Sequence, residues 1–80
     1  MAGPTRHTRA ELRRRWAEVG APWERVPARH AGRNTAIARA YLETRERGVS
    51  IAARHGVSPS RVQEIAESVV WATLGVRPPR

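Results

Sequence analysis

The chain contains no cysteine, no lysine and no aspartate. Without cysteine, neither a disulfide nor a thiolate metal site helps it fold. The three histidines, His7, His30 and His55, share no ligand spacing, so no metal and no cofactor are expected. No apolar run approaches the ~18 residues of a membrane span. Residues 1–7 lack the apolar segment of a signal peptide, so a cytoplasmic location is the expectation. A glycine-rich phosphate loop is missing, as is any nucleophile–base pair, and no enzyme is read here. No segment alternates as a strand does.

What is present is arginine. There are 15, against seven glutamates, for a formal net charge of +8 in 80 residues. That length makes one small domain, and 40% apolar residues suit a packed fold. A core of this size supplies only ~3–5 kcal/mol, so added burial against a partner would help it. The positive field favours an anionic partner and speeds encounter with it. Guanidinium forks suit phosphates and guanine edges. G- and C-rich coding accounts for arginine in place of lysine; it accounts less well for the excess of positive charge.

The apolar spacing predicts an all-α fold of about five short helices. Thr8 and Glu11 have capping-box spacing. Leu12, Trp16 and Val19 follow at helical intervals and Gly20 is a stop, which gives a first helix over 8–19. A second, short helix starts at 21–23 with Trp23 and Val26 inward, and Pro27 ends or kinks it. Gly32, Arg33 and Asn34 form a turn with an N-cap. A third helix over 35–47 puts Ile37, Ala38, Tyr41 and Leu42 on one face, and Gly48 closes it. The fourth helix covers 51–55 and the fifth 59–74, with Gly75 as its stop. Residues 1–7 read as a flexible arm, 8–75 as the domain, and 76–80 as a disordered tail.

The segment 48–65 carries the most information. Ser50 can cap one helix and Ser58 the next, with Pro59 at the first helical position, where a missing N–H does no harm. Gly56 supplies a backbone conformation that side chains disfavour. Ile51, Ala52, Val57, Val62 and Ile65 are the apolar or small positions that two crossing helices need. This is the helix-turn-helix pattern, over 50–74, whose second helix enters the DNA major groove.

From Arg33 onward the chain resembles a known group. Arg33, Asn34, Thr35, Ala36 and Ile37, then Tyr41, then the run 52–58 and the residues Arg61, Val62, Gln63, Glu64 and Ile65, are similar to the DNA-binding part of the Mor family of phage transcription activators. The same residues resemble region four of bacterial sigma factors. Arg61 and Val62 match the sigma pattern. Pro59, Ser60 and Glu64 stand where it has an arginine, an acid and a glutamine, so sigma-type promoter specificity is not carried over. Towards the N-terminus, Glu11, Leu12, Trp16, Ala17, Glu18, Trp23 and Val26, followed by 33–37, are similar to GcrA-type regulators; Pro27 and His30 depart from that pattern. The first two helices either form a second reading head or cap the core of the C-terminal unit.

These readings imply a sequence-specific regulator of transcription that binds double-stranded DNA. On the helix-turn-helix frame the last helix presents Ser58, Ser60, Arg61, Gln63 and Glu64. Gln63 suits adenine, Arg61 guanine or phosphate, and Glu64 cytosine. The last helix is itself net acidic, so the phosphate clamp must come from Arg33, Arg39, Arg45, Arg47 and Arg54, with Arg6, Arg9 and Arg13 to Arg15 as an arm. Successive helical residues diverge by about 100°, so Arg13, Arg14 and Arg15 do not share one phosphate row. Trp71 falls opposite Val62, on the outer face. A homodimer contact there is favoured over packing on the first helix. The alternative function is a protein-interaction module that binds RNA polymerase or a phage packaging complex through the Trp71 face.

Overall fold

A computed structural model of the chain describes residues 8–75. Among them are four α-helices and no strand: α1 (Arg9–Glu18), α2 (Arg33–Glu43), α3 (Gly48–His55) and α4 (Pro59–Leu74). The fold is all-α, as the apolar spacing predicts. The expected arm at 1–7 and tail at 76–80 lie outside the described residues.

Local chemistry sets several of the helix ends. The Thr8 hydroxyl accepts from the Glu11 N–H at 3.1 Å, and the Thr8 N–H donates back to the Glu11 carboxylate at 3.4 Å. This reciprocal capping starts α1. At α4 the Ser58 hydroxyl accepts from the Arg61 N–H at 3.2 Å, and Pro59 opens the helix. Gly75, left-handed at φ 73°, ends α4.

The expected second helix is instead two single 3-10 turns, Trp23–Arg25 and Ala28–His30. Pro27 accounts for the break. The residue before a proline is pushed out of the helical region, and Val26 is extended, at φ −61° and ψ 127°. Trp23 and Val26 are partly buried against the core.

Three boundaries differ from expectation. α2 ends at Glu43 rather than at residue 47, and Thr44 is extended. The Thr44 hydroxyl donates to the Ala40 carbonyl at 2.6 Å, and arginines from α1 take other carbonyls of the last turn. α3 starts three residues earlier than expected. Arg47 is its N-cap and Gly48 its first residue, so Gly48 opens this helix rather than closing the previous one. Ser50 lies inside the first turn and is not a cap. α2 begins at Arg33 rather than at residue 35, with Gly32 as its N-cap.

The core gathers Leu12 and Trp16 of α1, Ile37, Ala38, Tyr41 and Leu42 of α2, Ile51 and Ala52 of α3, and Val62, Ile65, Ala66, Val69, Val70 and Trp71 of α4. Full burial of one aliphatic side chain such as Leu12 or Ile37 contributes about 1.5–3 kcal/mol. α4 is the central helix: it packs on α1, α2 and α3. Its buried residues therefore cover more than one stripe. No helix among the described residues is long and apolar enough to cross a membrane.

Candidate nucleic-acid interface

α3 and α4 are joined by three residues, Gly56, Val57 and Ser58. Gly56 is left-handed, at φ 70° and ψ 32°, and the Val57 N–H reaches back to the Ala52 carbonyl at 3.0 Å. A residue with a β-carbon takes that conformation at a cost, so glycine holds the turn. Val57 packs against the core beneath it. Helix, short glycine turn and helix, with Ile51, Ala52, Val62 and Ile65 buried between them, follow the helix-turn-helix plan.

The first turns of α4 expose the expected reading residues. Ser58, Ser60, Arg61 and Glu64 are exposed, and Gln63 is partly buried. Arg61 and Glu64 meet on the surface, with Nη1 3.2 Å from Oε1. The two side chains expected to read bases therefore stand as one surface ion pair.

The basic residues divide into groups. Arg45 and Arg47 are exposed on the connection 44–47 and make no ion pair among the described residues. Arg54, on α3, is paired: its Nη2 donates to Glu46 Oε1 at 2.5 Å. Arg39 is occupied as well. Its guanidinium lies 5.0 Å from the centroid of the Trp23 ring and its Nε 3.4 Å from Glu43, while the Trp23 indole N–H donates to the same carboxylate at 2.5 Å. This cluster ties the first 3-10 turn to α2. Arg33 opens α2 and is exposed. It is separated from Arg45 and Arg47 by the length of that helix, roughly 15 Å at 1.5 Å per residue.

The arginines of α1 expected as an N-terminal arm divide among separate contacts. Arg9 and Arg13 lie half-buried against the end of α2: Arg9 donates to the carbonyls of Ala40, Tyr41 and Thr44, and Arg13 to that of Leu42. Burial lowers the Arg9 pKa and the neighbouring Arg13 charge lowers it further. Arg15 lies over the Trp71 ring, 5.5 Å from its centroid, and Arg14 is exposed. The three consecutive arginines thus point three ways. Arg6 lies outside the described residues.

Trp71 is only 5% exposed. The outer-face placement is corrected: α1 covers this side of α4, and Arg15 of α1 stacks on the indole. The surface on which a Trp71-mediated dimer, or docking to RNA polymerase, would rest is already covered within the chain. Packing on the first helix is the reading that holds.

Among the described residues no group of three or more His, Cys, Asp or Glu side chains could hold a metal ion. No protein-family model, curated protein or solved structure matches the chain. The sequence reading misses Glu46 and the structural role of Arg9 and Arg13. Arg9 and Arg13 are four apart and so share one face of α1, a sign that they serve the same neighbour. Glu46 pairs with Arg54 across eight residues and leaves no local signal.

Proposed function

We propose that this protein binds double-stranded DNA in a sequence-specific way and regulates transcription, with α4 as the reading helix. One observation carries the reading. The N-terminal turns of α4 expose Ser58, Ser60, Arg61 and Glu64 directly after a glycine-turned connection, while Val62, Ile65 and Ala66 of the same helix are locked in the core. A rigidly seated helix with polar residues at its leading end is what major-groove reading requires. The net charge of +8 supplies attraction to phosphates. Arg54 on α3, and Arg45 and Arg47 exposed on the connection into α3, are the nearest exposed backbone-binding candidates by chain position.

The roles divide by chemistry. Arg61 suits guanine O6 and N7, Gln63 adenine, and Glu64 the amino group of cytosine. Arg45, Arg47 and Arg54 contact phosphate without reading sequence. The test is selection of duplexes from a random library with the purified protein, followed by sequencing. A recurrent motif is expected. Arg61→Ala and Gln63→Ala should relax it, at about 1–3 kcal/mol per good base contact, and Arg47→Ala should weaken binding to every sequence alike. Absence of any enriched motif overturns the reading.

A further inference from the structure

We propose that Glu46 is a positioning residue for DNA recognition: it holds the Arg54 guanidinium in one orientation beside α4, ready for one phosphate register. This rests on the duplex-binding reading above. The connection carrying Glu46 is itself anchored. The Glu46 N–H donates to the Thr44 hydroxyl at 3.1 Å, that hydroxyl donates to the Ala40 carbonyl, and Arg9 Nη2 donates to the Thr44 carbonyl at 2.8 Å. Glu46 is thus fixed to the end of α2. Its Oε1 takes one N–H group from Arg54 Nη2 at 2.5 Å, and the Arg54 side chain remains 55% exposed.

A guanidinium has five N–H donors in a fixed plane. Engaged through one nitrogen only, Arg54 keeps its other donors for a second acceptor. An arginine already held in place loses less rotamer freedom when it meets a phosphate. The gain is realised only where the phosphate lies in the register that α4 sets when it seats on its own site. On random duplex no such register is enforced, so the preset guanidinium brings no matching gain. Glu46 therefore favours the cognate complex over the rest.

The experiment measures affinity for a duplex selected by the wild type and for an unselected random duplex, and reads the ratio. Glu46→Gln should lower that ratio by about fivefold, a coupling of the size expected for residues in direct contact. Glu18→Gln removes the same charge from an exposed site on α1 and should leave the ratio unchanged. In an Arg54→Ala background, Glu46→Gln should no longer lower the ratio. If Glu46→Gln matches Glu18→Gln, or lowers the ratio equally without Arg54, the proposal is overturned while the DNA reading stands. A wild type that binds no duplex at low salt overturns both.

Discussion

Arg9 crosses from α1 to the end of α2, where its Nε donates to the Tyr41 carbonyl at 2.6 Å and its guanidinium lies 4.7 Å from the centroid of the Tyr41 ring. The same side chain reaches the Ala40 and Thr44 carbonyls, and Arg13 reaches that of Leu42 at 3.0 Å. The last carbonyls of a helix have no partner within it, and its C-terminal end favours cations. Two arginines of α1 meet both needs at once. They convert part of the charge excess into structure.

Arg9→Ala is therefore expected to destabilise the fold by about 2 kcal/mol, the scale of charge-assisted hydrogen bonds. Arg9→Lys should recover only part of this, because an ammonium does not span three carbonyls as a planar fork does. Urea unfolding followed by circular dichroism measures both. Wild-type stability in Arg9→Ala would show that the carbonyls are equally well served by water.

The turn between α3 and α4 makes a second prediction. A β-carbon at Gly56 would meet nothing within 4 Å, so Gly56→Ala is penalised by its backbone alone, at φ 70°. The expected cost is about 1 kcal/mol, with Gly56→Asn milder because asparagine tolerates this region. Ser58→Ala removes the cap of α4 at a similar cost, ~1 kcal/mol. Both shifts are readable in thermal melts. An unchanged melting temperature for Gly56→Ala would mean that the turn takes another conformation.

These two sites show what a sequence can disclose. The Thr8 and Glu11 box, the Gly56 turn and the Ser58 and Pro59 start all act within a few residues, and each was legible. The end of α2 was not, because it is set by Arg9 and Arg13 from a different helix. Nor was the true face of Trp71. A helical wheel assigns one buried stripe, whereas α4 packs against three helices. In the candidate interface, helical spacing accounts for the exposure of Ser58, Ser60, Arg61 and Glu64 and the partial exposure of Gln63, while the pairing of Arg54 with Glu46 is tertiary and leaves no mark in the spacing.

Trp71 gives the third prediction. Truncating a buried tryptophan costs about 3–5 kcal/mol, as much as the whole stability expected of so small a core. Trp71→Ala should be largely unfolded at room temperature. Trp71→Phe should fold, melt lower than the wild type, and sediment as the wild type does. A change of sedimentation in folded Trp71→Phe would return this residue to an interface between subunits.

His30 makes stability depend on pH. Its pKa is lowered, first by desolvation and then by the Arg29 charge. The unfolded chain therefore takes up the proton first. The contribution is present above about pH 6.5, the ordinary histidine value, and is lost as pH falls through the lower folded-state value. The melting temperature should decline below that pH, and His30→Gln should flatten this part of the profile. An identical decline in His30→Gln would assign it to other groups.

Titration of a labelled duplex at two salt concentrations tests duplex binding most directly. Each phosphate contact contributes a slope of about −0.9 to the logarithm of affinity against the logarithm of salt. With Arg45, Arg47 and Arg54 on phosphates, a slope of about −3 or steeper is predicted, and Arg47→Ala should make it shallower by about one unit. A flat salt response, or no binding at low salt, would contradict the assignment of this protein to DNA.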